Sequence, residues 1–181
     1  MANYFELYDI PVSFSPDQAV VKTKFYELSR KYHPDRFAQA GGPELTGALQ
    51  MAAQNNAAYK TLKDSDATMA YILKLKVPIG IGMEEEEKYA LPPAFLMEMM
   101  DLNEAVSESE IDPENTDARD MATNDLNEQL ELWTDAMKLL TDRYAQGEQD
   151  TDLLLQIKDM YFRKKYLLRI KERIDRFAAR Q

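Results

Sequence analysis

The sequence predicts an all-α protein of two helical units, and three observations carry that prediction. Apolar residues recur at three- and four-residue spacing rather than alternating, hydrophobic residues make up 45% of the 181-residue chain, and glycine is scarce, at 6. A chain this apolar can bury a sizeable core. Its length suits one large domain or two small ones.

The opening segment, Tyr4 to Asp9, is short, aromatic and apolar and stops before Pro11. A helix follows. Ser15 is placed to cap it, Pro16 suits its first position, and Gln18 completes a Ser-x-x-Gln capping box. Val21, Phe25, Leu28 and Tyr32 form its apolar stripe. Lys22, Arg30 and Lys31 fall on the other side and Lys24 on the flank, so the helix is basic within an acidic protein. Pro34 ends it and biases His33 toward extended geometry. A loop through Gly41-Gly42-Pro43 leads to a helix carrying Ala48, Ala52, Asn55, Tyr59 and Leu62, partly small and suited to close antiparallel packing. Asp64-Ser65-Asp66 starts a shorter helix with Met69, Ile72 and Leu73.

Composition changes at Val77-Pro78-Ile79-Gly80-Ile81-Gly82 and the run Glu84 to Glu87, which reads as a connector. The expected organisation is a first domain over 1–76, a linker over 77–90, and a three-helix bundle over 91–181. The bundle's first helix begins after Pro92-Pro93. Its second runs from about Thr116 to Tyr144, with Ala122, Leu126, Leu130, Trp133, Met137, Leu140 and Tyr144 in register; its third starts near Thr151. Breaks at Asp112-Pro113 and Gly147 separate them.

Several function classes are disfavoured. The net charge of -10 is the wrong sign for a general nucleic-acid or acidic-membrane binder. With no Cys and a single His, the sequence offers no disulfide, thiolate metal site or cofactor motif. No apolar run reaches the roughly 18 residues of a membrane span, and the start lacks a basic and then apolar leader, so a soluble cytoplasmic protein is expected.

The sharpest signal is Lys31-Tyr32-His33-Pro34-Asp35-Arg36. The bare tripeptide His33-Pro34-Asp35 is weak; its place at the end of a basic amphipathic helix, before a loop and a second helix of matching length, gives it weight. This arrangement resembles the J domain. The resemblance covers residues 1–76, including Asn3-Tyr4-Phe5-Glu6-Leu7 and Asn55-Asn56-Ala57-Ala58-Tyr59-Lys60-Thr61-Leu62. It implies a DnaK-type chaperone as partner, with His33, Pro34 and Asp35 as the engaging loop and Lys22, Lys24, Arg30, Lys31 and Arg36 as contacts that stimulate the partner's ATP hydrolysis. A carboxylate at Asp35 could pair with a donor on that partner, in a charge-assisted bond worth about 1.5–3 kcal/mol.

In the helix after Pro93, Phe95, Met99, Leu102 and Val106 complete a core stripe, leaving Leu96, Met97 and Met100 as surplus apolar residues beside Glu104. Surplus apolar surface, rich in adaptable methionine, suggests a partner site. In the last helix Leu153, Ile157, Met160, Leu167 and Ile174 serve the core, which sets Phe162 and Tyr166 on a different side. Over nearly its full length the chain resembles the HscB family of iron–sulfur co-chaperones, through Tyr32-His33-Pro34-Asp35-Arg36-Phe37, Ala70-Tyr71-Ile72-Leu73 and Leu91-Pro92-Pro93-Ala94-Phe95-Leu96-Met97-Glu98. That resemblance implies an HscA-like chaperone and a scaffold protein, IscU, docked on Leu96, Met97, Met100, Asp101, Glu104 and Phe162. Met100 and Asp101 stand where leucine and glutamate are expected. The zinc-binding cysteines of some members are absent. A J protein with another client and a passive helical scaffold remain open; a hydrolase using His33 and Asp35 is disfavoured, because no nucleophile or oxyanion donor adjoins them.

Overall fold

The computed structural model describes residues 3–37, 41–76, 89–112 and 115–178, and every regular element among the described residues is a helix, with no strand. Of the linker expected over 77–90, residues 77–88, including the glutamate run, lie outside the described residues. The chain divides into two compact units, Met1–Lys76 and Val77–Gln181.

In the first unit, α1 (Tyr4–Tyr8) is opened by a capping box. The Asn3 side chain accepts the Phe5 and Glu6 N–H groups while Glu6 accepts the N–H of Asn3. Helix α2 spans Gln18–Lys31. Its cap differs from the sequence expectation: Asp17, not Ser15, accepts the Ala19 and Val20 N–H groups. A carboxylate next to the helix's positive end is the stronger acceptor. Gln18 is freed from any capping box and donates instead to the Leu62 carbonyl at 3.0 Å.

Helix α3 (Gly42–Leu62) starts within the expected loop, with Pro43 in its first turn. It runs antiparallel to α2, as the pairs Gln18–Leu62, Phe25–Tyr59 and Ser29–Asn55 show. Asn55, expected on the apolar side, is 1% exposed and fully bonded. Its amide donates to the Phe25 carbonyl and Ser29 hydroxyl, and its oxygen accepts from the Tyr8 hydroxyl at 2.9 Å. One side chain thus ties three helices together, and a buried amide left half-satisfied would be costly. Helix α4 (Ser65–Lys76) closes the core with Thr68, Met69, Ile72 and Leu73. Tyr71 stacks on Tyr4, with ring centroids 4.4 Å apart, and accepts its N–H.

The second unit is an up-down-up bundle. Its first arm is two helices, α5 (Pro93–Glu98) and α6 (Met100–Ile111), where the apolar pattern predicted one. The break is at Met99, with φ -88° and ψ 3°. The Asn103 amide donates to the Met99 carbonyl at 2.7 Å and reaches the Tyr166 hydroxyl, drawing this turn toward the last helix. Helix α7 spans Thr116–Ala145 and α8 spans Thr151–Ala178. Between them Gly147 takes φ +103°, a conformation glycine adopts without penalty, and the Glu148 N–H reaches the Arg143 carbonyl in a Schellman-type closure.

The core gathers Phe95, Met99, Leu102, Ala105, Val106, Ala122, Leu126, Leu167, Ile170 and Ile174. The Trp133 indole donates to the Met160 carbonyl across α7 and α8. Arg173 grips Glu110 with two bonds of 2.9 Å across α6 and α8. Among the described residues no helix is long and apolar enough to cross a membrane.

Candidate functional site

Two surfaces hold the residues singled out from sequence, one on each unit. On the first, α2 ends at Lys31, Tyr32 caps it, and Pro34–Phe37 form one 3-10 turn. The Arg36 N–H closes that turn on the His33 carbonyl. The turn exposes its polar side chains: Asp35 is 90% accessible and His33 56%. His33 Nδ1 accepts the Asp35 N–H at 3.3 Å. The 3.6 Å approach of Asp35 Oδ2 to the same atom is too long for a hydrogen bond, so the carboxylate stays available. Pro34 fixes the backbone. The imidazole braces the turn through its contact with the Asp35 N–H.

Arg36 folds back, its guanidinium donating to the Arg30 carbonyl at 3.2 Å. That bond satisfies an orphan carbonyl at the end of α2, so Arg36 is a clasp for the tip as well as a surface cation. Lys22, Arg30 and Lys31 are exposed, and Lys24 is half-buried at the flank. Among the described residues no carboxylate pairs with any of these four. Tyr26 was missed from sequence: it is 51% exposed and shares the outer face with Lys22 and Arg30 at four-residue spacing. Continuing the Lys22 spacing along the helix would have found it.

On the second unit, the four stripe residues Phe95, Met99, Leu102 and Val106 are all buried, at 5%, 0%, 2% and 0%. Leu96, Met97 and Met100 stand in solvent at 41%, 70% and 64%, with Asp101 and Glu104 exposed on the same stretch. Three large apolar side chains on two short helices with a completed core are an uncompensated exposure of the kind that marks a protein contact.

Phe162 departs from its sequence assignment. It is 5% exposed rather than on a free side, and Tyr166 likewise packs against the core. The physical reason is that α8 is covered by both α6 and α7, so its buried arc is wider than one stripe. Phe162 has a further cover. Tyr89 lies flat on it, with centroids 4.1 Å apart and planes 11° apart, and donates its hydroxyl to Asp159 Oδ1 at 2.7 Å. Burial, and then that hydrogen bond, push the Tyr89 hydroxyl above its ordinary range, so it stays a donor. Asp159 is oriented by Arg163 at 2.6 Å. Nothing in local periodicity links Tyr89 to Phe162, because the contact spans the whole bundle.

Comparison with known proteins adds the following. Residues 91–175 match the family model described as the HSCB C-terminal oligomerisation domain. A co-chaperone protein HscB homolog of Vibrio cholerae serotype O1 (strain M66-2) is 43% identical over 102 residues, 56% of this chain and 58% of that relative. The alignment therefore spans under two thirds of that relative's length. The homolog of Paraburkholderia xenovorans (strain LB400) is 32% identical over 143 residues, 79% of each chain. Among solved structures, chaperone HscB from Vibrio cholerae superposes with a TM-score of 0.74 at 29% identity, covering 98% of this chain and 99% of the other. The crystal structure of human co-chaperone protein HscB gives 0.72 at 27%, covering 97% and 81%.

Proposed function

The chain belongs to the HscB co-chaperone family, not to a family of catalytic enzymes, and from that premise we propose that it stimulates the ATPase of an HscA-like, DnaK-type chaperone and hands it an IscU-type iron–sulfur scaffold protein. The observation that carries this reading is the tip: a proline-fixed turn that leaves the Asp35 carboxylate 90% accessible beyond a helix whose Lys22, Lys24, Arg30 and Lys31 pair with no carboxylate among the described residues. The chaperone partner supplies a donor for Asp35 and an acidic surface for Lys22, Lys24, Arg30 and Lys31, with His33 and Pro34 holding the turn and Arg36 clasping it. Such a contact is weak and steered by charge, which suits a partner that must leave after each ATP turnover.

The scaffold half of the proposal rests on the second surface. Leu96, Met97 and Met100 give desolvatable area and Asp101 and Glu104 a negative rim, which fits an apolar knob flanked by lysine or arginine. Joining both partners through one chain raises their effective concentration for each other. The chemistry of ATP hydrolysis stays on the chaperone. The compartment proposed is the cytoplasm.

The test is chaperone ATP turnover measured with this chain, with the scaffold, and with both. Turnover above the sum of the separate effects supports the reading. Stimulation by the chain alone, with no scaffold binding in direct titration, would instead assign it another client. No stimulation in any combination would leave a passive helical scaffold.

A further inference from the structure

Phe162 stands among the residues that the family resemblance assigns to scaffold docking, yet it is sealed. Its ring is 5% exposed and Tyr89 covers it face to face at 4.1 Å. Three described contacts tie the cover to α8. The Tyr89 hydroxyl bonds Asp159 at 2.7 Å, its ring lies over Phe162, and the Lys158 ammonium sits 6.0 Å from its centroid. Tyr89 itself belongs to no helix; it precedes α5 by four residues, in the stretch 89–92, which has no regular structure. A residue outside regular structure moves by a change in its own backbone and side-chain angles, without unravelling a helix. Lys158 is itself 7% exposed, an unusual burial for a lysine.

We propose that Tyr89 gates the scaffold site: in the free protein it closes over Phe162, and the scaffold gains that ring only when Tyr89 swings off α8. The gate rests on the scaffold reading above. It splits the docking surface into a standing part, Leu96, Met97 and Met100 beside Asp101 and Glu104, and a concealed part, the Phe162 ring beside the Lys158 ammonium. The standing part fits an apolar side chain flanked by cations, and the concealed part an apolar side chain flanked by a carboxylate. A partner must carry both to open the gate, which makes Tyr89 a specificity-determining residue as well as a cover. Apparent affinity is then the intrinsic affinity scaled by the fraction of molecules with the gate open.

Calorimetric titration of an IscU-type scaffold into the full chain tests this. Tyr89→Phe removes the bond to Asp159 and keeps the ring, and binding should tighten by about tenfold, the low end of the roughly 10- to 150-fold that a hydrogen bond to a charged acceptor is worth. Tyr89→Ala should tighten it at least as much, and adding Phe162→Ala should erase the gain. A purely structural Tyr89 gives the opposite sign, because loosening the bundle weakens binding. Thermal melting identifies any misfolded Tyr89→Ala, and Tyr89→Phe then decides alone. Unchanged or weaker binding by Tyr89→Phe, with native binding intact, overturns the gate. Absence of binding by native chain and variants alike overturns the scaffold reading and the gate with it.

Discussion

The tip on the first unit and the patch on the second are both surfaces left open by their folds, and they are opened by different means. At the tip the exposed groups are polar, and the order comes from contiguous residues: a helix end, a proline and a 3-10 turn clasped by Arg36 and the His33 ring. At the patch the exposed groups are apolar, and the order comes from the buried side of the same helices, where Phe95, Met99, Leu102 and Val106 are spent on the core. A charged tip fits a contact that must be brief and salt-sensitive. An apolar patch backed by a completed core suits the longer-lived contact proposed for the scaffold.

Breaking the tip should have the largest effect. Asp35→Asn keeps size and loses charge, and stimulation of the chaperone's ATPase should fall on the order of 100-fold, within the range of one charge-assisted bond. Melting temperature should not move, since Asp35 is 90% accessible. A variant that still stimulated as well as the native chain would remove the carboxylate from the account.

Next comes the frame that aims the tip. Asn55→Leu strips the bonds to Tyr8, Phe25 and Ser29, leaves the Tyr8 hydroxyl with fewer acceptors, and should cost about 2–4 kcal/mol. In urea unfolding followed residue by residue, the loss should fall on the first unit and spare the second. Equal loss in both would show that the two units do not unfold independently.

At the patch, Met97→Lys puts a cation where the scaffold should bring its own, and scaffold affinity should drop about tenfold. Met97 is 70% exposed, so stability should change by no more than about 0.5 kcal/mol. Unchanged affinity in direct titration would detach the patch from the scaffold.

The smallest effect concerns the clamp behind the patch. Hydrogen bonds from Arg173 hold the Glu110 carboxyl below its ordinary value. A depressed carboxyl contributes stability above its unfolded-state value and loses it as pH falls through the lowered, folded-state one. Arg173→Gln should therefore cost under about 1 kcal/mol at neutral pH, since the pair is partly exposed. The gap between native and variant should close on acidification. A gap independent of pH would mean that the arginine acts through packing alone.

The tip was legible because its order is local: a basic helix, a proline and a turn are contiguous in sequence. The patch was legible as a remainder, since a stripe of four residues accounts for the core and Leu96, Met97 and Met100 are left over. What failed was long-range or competitive. Ser15 lost the cap of α2 to Asp17 because a carboxylate two residues on outcompetes a hydroxyl. The arm after Pro93 breaks at Met99, where Asn103 bonds both the Met99 carbonyl and Tyr166 across the bundle, a contact no local pattern announces. Phe162 was assigned to a free side because a helical wheel knows one neighbour, and α8 has α6, α7 and Tyr89. Arg36 looked like a contact and is also a clasp, a role set by the fold of the turn.

The claim that everything turns on is that tip and patch act separately on one chain. Chaperone ATP turnover, with and without scaffold, for the native chain, Asp35→Asn and Met97→Lys measures it directly. The account predicts synergy for the native chain, stimulation reduced on the order of 100-fold with or without scaffold for Asp35→Asn, and intact basal stimulation without synergy from Met97→Lys. If the Met97 variant lost basal stimulation as well, or the Asp35 variant kept its synergy, the two surfaces would not be the independent sites described.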